Sequence, residues 1–108
     1  MKRINLGTVT IHGSDQSVLK LLKEFTESAP ADINNRQQTL GIKMLRDRSR
    51  VLEKLEAVDT AAAYVDVEDG DLEALKQVVN NVGYLISSPG YVKIIDAVEK
   101  AEAPPTVN

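Results

Sequence analysis

The sequence predicts a mostly helical α+β domain with the element order β-α-α-β-α-α and a small two-stranded sheet. Three observations carry this. Residues 4–12 and 64–68 alternate apolar and polar side chains with period two, as strands do. Residues 15–28, 36–58, 71–86 and 89–101 repeat apolar side chains at helical spacing. The 108 residues suffice for one core and not for two. Residues 1–102 are therefore read as a single domain, and 103–108, with Pro104 and Pro105, as a disordered tail.

In the first strand Ile4 and Leu6 share a face, but after Gly7 the apolar pair is Val9 and Ile11. A parity slip of one residue at a glycine marks a bulge or a tight bend. The segment reads as one bent strand, with two very short strands as the alternative. Ser14 is the expected N-cap of the first helix, and Asp15 complements its dipole. Val18, Leu19, Leu21, Leu22 and Phe25 line one face of that helix, and Pro30 ends it near Ser28. Residues 29–35 connect without periodicity. The second helix carries Leu40, Met44, Val51, Leu55 and Val58 on its apolar face, with Leu45 and Leu52 at the edge. Gly41 weakens its first turns by roughly 1 kcal/mol relative to Ala, so the helix is expected to be firm only beyond that point. Val65 and Val67 oppose Asp66 and Glu68, the pattern of a strand with one solvated face. Its backbone needs a partner, and the N-terminal strand is the candidate. Asp69-Gly70-Asp71 caps the third helix, whose stripe is Leu72, Leu75, Val79, Val82 and Ile86. Ser88 and Pro89 start the last helix, which carries Tyr91, Ile94, Ile95 and Val98.

Composition narrows the function. Thirteen basic against sixteen acidic side chains, net −3, argues against both a polybasic binder and a disordered acidic chain. There is no Cys, hence no disulfide and no thiolate metal site. No run of 18 apolar residues occurs, so no membrane span is expected. The first ten residues alternate instead of forming the apolar run of a signal peptide, which predicts a cytosolic protein. His12, Ser14 and Asp15 are triad residue types, but a triad is assembled from distant segments, and these read as a strand end and a helix cap. A single His makes no His-based metal site. Neither GxxxxGK[ST] nor GxGxxG is present. An EF-hand begun at Asp66 puts Gly70 at position 5 and Gln77 at position 12, where the loop needs Gly at 6 and Glu at 12. The chain is therefore expected to be no enzyme, with no cofactor, no metal and no small-molecule substrate.

The informative pattern is charge. Arg36, Lys43, Arg46, Arg50 and Lys54 would cover about 80° of one helix surface. Residues 36–56 carry six basic and three acidic side chains, so this segment is net +3 and the rest of the chain net −6. The basic stripe is a candidate partner-binding surface. The acidic patch Asp66, Glu68, Asp69, Asp71 and Glu73 of a neighbouring copy is the complement expected for it, a head-to-tail pairing that could build rings. A protein partner or a homo-oligomer is expected. Nucleic acid is the weaker candidate, because the pI is about 5.1 and no aromatics interleave the stripe. Arg48 falls amid Met44, Val51, Leu52 and Leu55 on the apolar face. It must snorkel or meet a carboxylate, Asp66 or Asp96 being the candidates. Val78, Val79, Val82, Tyr84, Leu85 and Ile86, with Tyr91, Val92, Ile94 and Ile95, make the last two helices apolar over a wide arc, as core or as a subunit contact.

Three segments carry a resemblance. Leu45-Arg46-Asp47-Arg48-Ser49-Arg50-Val51-Leu52-Glu53-Lys54-Leu55-Glu56 is a basic helix that closes on Leu52-x-x-Leu55-Glu56. Tyr64-Val65-Asp66-Val67-Glu68-Asp69-Gly70-Asp71 is an acidic strand running into a capped helix. Ser87-Ser88-Pro89-Gly90-Tyr91 opens a terminal helix with Pro. Over residues 36–100 the chain resembles small uncharacterised proteins of tailed bacteriophages and prophages encoded near virion morphogenesis genes. The resemblance implies a viral protein in the cytoplasm of a bacterial host cell or associated with the virion. Its implied role is protein–protein contact in head–tail or tail assembly, with no catalytic residue. The alternative is a phage-encoded modulator that binds a host protein or nucleic acid through the basic face of the second helix.

Overall fold

A computed structural model describes residues 1–84 and 87–104. Its elements are β1 (Lys2–Asn5), β2 (Thr8–Ile11), β3 (Ser14–Ser17), α1 (Val18–Ser28), α2 (Ile42–Glu56), β4 (Tyr64–Val67), α3 (Asp69–Asn81) and α4 (Pro89–Glu99). This is the expected α+β class with four helices. No helix among the described residues is long and apolar enough to cross a membrane.

β1 pairs antiparallel with β4, as the half-solvated pattern of Tyr64–Val67 requires, with Ile4 opposite Val65 and Arg3 opposite Asp66. Ile4, Val65 and Val67 are buried on the inner face. The other edge of β1 is met by a bridge from Arg3 to Glu102. Gly7, at φ +107°, turns the chain out of this sheet, which accounts for the parity slip. The two-short-strand alternative is therefore the observed one.

Two starts require correction. Residues 14–17 are a strand, not the first turn of a helix. β2 and β3 form a second two-stranded antiparallel sheet closed by His12-Gly13, both at positive φ (54° and 80°). Positive φ at both central residues is the tight-hairpin geometry whose twist matches the flanking strands. The N-cap of α1 is consequently Ser17, whose hydroxyl accepts from Lys20 N, and not Ser14. The second helix starts at Ile42 instead of 36, with Gly41 as N-cap. Arg36 and Leu40 thus lie in the preceding connection.

The ends shift too. α2 stops at Glu56 and α4 at Glu99, short of the expected 58 and 101. α3 starts at Asp69, ahead of the expected 71, and ends at Asn81. Residues 82–84 therefore leave the helix, and Leu85 and Ile86, the last of the expected stripe, lie outside the described residues, as do 105–108 of the expected tail.

α2 packs between α1 and α3, and α4 lies against β2 and α3. Leu22, Val51, Leu55, Leu75, Val78, Ile94 and Val98 are fully buried at the centre. Tyr84 and Tyr91 close over Phe25, with Tyr84 edge-on to Phe25 at 5.9 Å between centroids. Desolvation, with the neighbouring Tyr91, pushes the Tyr84 phenol up to about 12, and its hydroxyl donates to Val79 O. Ser88 and Pro89 begin α4 as the sequence predicts. Gly90 lets that helix approach β2 closely: a Cβ there would stand 2.5 Å from Thr10 O.

Candidate functional site

The charged side chains of α2 divide between two faces. On the side toward α3, Lys43 Nζ pairs with Asp47 at 2.7 Å one turn on. Arg50 Nε donates to Asp71 Oδ1 at 2.7 Å, and its Nη2 reaches Asp47 at 3.3 Å. Lys54 Nζ donates to the other oxygen of Asp71. Asp71 is 1% exposed, in the first turn of α3, where the helix dipole favours an anion. Burial pushes its carboxyl up, but the bonds from Lys54 and Arg50 outweigh burial and hold it below the usual carboxylate range. The same contact raises the Arg50 guanidinium. Asp71 is thus a clasp joining α2 to α3 within one chain.

The rest of the basic stripe does not converge. Arg36, off the helix, lays its guanidinium against Gly83, where a Cβ would lie 2.0 Å from Nη2. Arg46 is exposed and enters no ion pair among the described residues. The acidic group is dispersed as well. Asp66 lies on the β1–β4 sheet, held by Arg3 through Nε at 2.9 Å and Nη2 at 3.2 Å. That bidentate bond lowers its carboxyl, and the same guanidinium stacks 3.7 Å over the Tyr64 ring. Glu68 and Asp69 are exposed at the start of α3, and Glu73 stands 3.7 Å from Lys76 on the same helix.

Arg48 is 4% exposed, and its partners are not Asp66 or Asp96. Nη1 donates to Ala29 O and Nη2 to Pro30 O at 3.1 Å, the carbonyls at the end of α1. The carbonyl end of a helix carries partial negative charge, so a cation fits there without a carboxylate. Burial lowers its pKa, and Nε has no hydrogen-bond partner among the described residues. Arg48 therefore ties α2 to α1 as Asp71 ties it to α3.

The opposite face of α2 is different. Ile42 is 71% and Leu45 52% exposed, and Ile33 and Leu40 of the preceding connection are exposed beside them in sequence. Ser49, Arg46, Glu53 and Glu56 complete this face and are all exposed. Neither glutamate enters an ion pair among the described residues. This face is hidden in the sequence because Leu40 falls in register with the apolar stripe of α2 and Ile42 falls off it. The wide apolar arc of the last two helices is mostly core: Val78, Val79 and Ile94 are buried, and Val92 is exposed. A groove of about 670 Å³ lies along α4, lined by Tyr84, Pro89, Tyr91, Val92 and Ile95. A second, of about 650 Å³, runs between α2 and α3 past Met44, Asp47, Arg50 and Glu73. Comparison of the chain with models of known families, with curated proteins and with solved structures finds no match.

Proposed function

We propose that this is a non-enzymatic phage or prophage protein that acts through protein–protein contacts in virion assembly, in the host cytoplasm or on the virion. The observation that carries the contact part is the outer face of α2. Ile42 and Leu45 are exposed on it, and Leu40 just before the helix is exposed as well, whereas isolated exposed apolar residues are ordinary. The assembly part rests on the resemblance of residues 36–100. The basic stripe is a poorer candidate for the contact, because Lys43, Arg50 and Lys54 already hold carboxylates of the same chain. Deletion of the gene from its parent phage tests the proposal. Genome replication and lysis should proceed while the yield of complete particles collapses. An unchanged particle yield would refute the assembly role.

A further inference from the structure

We infer that the outer face of α2 docks an antiparallel second copy of the same face, forming a twofold dimer about Ser49. This rests on the contact reading above and names its partner. Ile42, Ser49 and Glu56 run down the middle of the exposed face, seven residues apart. At 100° per residue, Leu45 and Leu52 lie about 40–60° to one side of Ser49, and Arg46 and Glu53 about 40–60° to the other. One flank is therefore apolar and the other charged. Leu45 is exposed and Leu52 half-buried.

A twofold axis that makes two helices antiparallel sets like flanks against each other. With the axis at Ser49, Arg46 lies about 4.5 Å along the helix on one side and Glu53 about 6 Å on the other. In the dimer each Arg46 then comes within about 1.5 Å, along the axis, of Glu53 of the second copy. The same arithmetic sets each Leu45 against Leu52 of the second copy. Two ion pairs and two leucine contacts form at once, and neither Arg46 nor Glu53 has an ion-pair partner among the described residues of its own chain. A parallel twofold pair would instead set the charged flank of each copy against the apolar flank of the other, leaving Arg46 and Glu53 without ion-pair partners across the contact. The small Ser49 at the centre allows helix axes about 8–10 Å apart.

The full chain has no Cys, so Ser49→Cys introduces its only thiol, on the axis, where helices at that spacing bring the Cα atoms within disulfide reach. Oxidised S49C should run as a covalent dimer on a non-reducing gel, and Glu27→Cys, on the exposed surface of α1, should not. In sedimentation velocity, Arg46→Glu and Glu53→Arg should each weaken association about tenfold or more, because each turns two attractions into repulsions. The double swap should restore it. Wild type that stays monomeric with no S49C disulfide overturns the inference, as does association indifferent to both single reversals. The outcomes also separate the two proposals. Particles lost on gene deletion beside a monomeric S49C would overturn the dimer alone. An S49C dimer beside a normal particle yield would overturn the assembly role alone.

Discussion

Replacing Asp71 by Asn removes one charge from the clasp and almost no volume. Asp71 receives Arg50 and Lys54 on separate oxygens, and a hydrogen bond to a charged group contributes roughly 1.5–3 kcal/mol. The sum overstates the loss. Arg50 and Lys54 are 48% and 37% exposed, so water screens each pair and rehydrates each cation when the carboxylate goes. Asn also keeps one acceptor oxygen, and the wild-type carboxylate bears a desolvation cost that Asn does not. The expected net loss is about 1–2 kcal/mol at neutral pH. The pH dependence identifies the mechanism. The folded carboxyl is held below its ordinary value, so its contribution is full above the unfolded value of about 3.9 and is lost as pH falls through the folded one. Urea unfolding of wild type and D71N should therefore show a gap at neutral pH that is full above the unfolded carboxyl value of about 3.9 and shrinks as pH falls through the lower folded one. Asp66, also lowered, is held by Arg3 outside the clasp and cancels between the two proteins, whereas Asp47 shares Arg50 with Asp71 and is part of the same network. Equal stabilities at neutral pH, or a gap that does not close in acid, would refute the clasp.

Arg48→Met should lower stability by roughly 1–3 kcal/mol, because the carbonyls of Ala29 and Pro30 lose their donors. Arg48→Ala should cost more, since it also opens a void beside Val51 and Leu55; equal urea midpoints for the two variants would contradict this. Gly90→Ala should destabilise by about 1–3 kcal/mol despite the better helix propensity of Ala, since the new Cβ meets Thr10 O at 2.5 Å and Ile11 Cγ1 at 2.7 Å. A raised melting temperature for that variant would show that α4 is free to move off β2. In a low-salt gel shift the wild-type protein should leave nucleic acid unretained, because three of the five stripe cations already face carboxylates of their own chain; retention abolished by Arg46→Glu would favour the modulator reading.

The helices were legible because their stripes are long: Val18 to Phe25 and Leu72 to Val79 return at helical spacing, and Ser88-Pro89 marks its own helix start. The pairing of β4 with β1 was legible because Val65 and Val67 alternate with acids and leave a backbone in need of a partner. β3 was hidden because Ser14-Asp15-Gln16-Ser17 contains no apolar side chain. Its stability comes from the backbone ladder to β2 and a side-chain bond from Thr10 to Asp15. The only trace in sequence is Gly13 as the second residue of a two-residue loop. The start of α2 was legible at Gly41, beyond which the helix was expected to be firm, while the periodicity that carried its bound back to 36 was not helix. The partner of Arg48 left no trace, since backbone carbonyls are supplied by any residue. The union of Arg50 and Lys54 with Asp71 was visible as opposite charges and not as a contact. Only the packing of α2 on α3 closes the sequence separation of 21 and 17 residues.

Once Arg50 and Lys54 are assigned to the clasp, the part of α2 that stays open to a partner is its outer face, through which the chain is proposed to self-associate. Sedimentation of the unmodified full chain over a concentration series measures this association most directly. A twofold dimer should show a reversible shift from the 11.8 kDa chain to twice that mass, weakened in Arg46→Glu and recovered when Glu53→Arg is added. A single 11.8 kDa species at every concentration would contradict it.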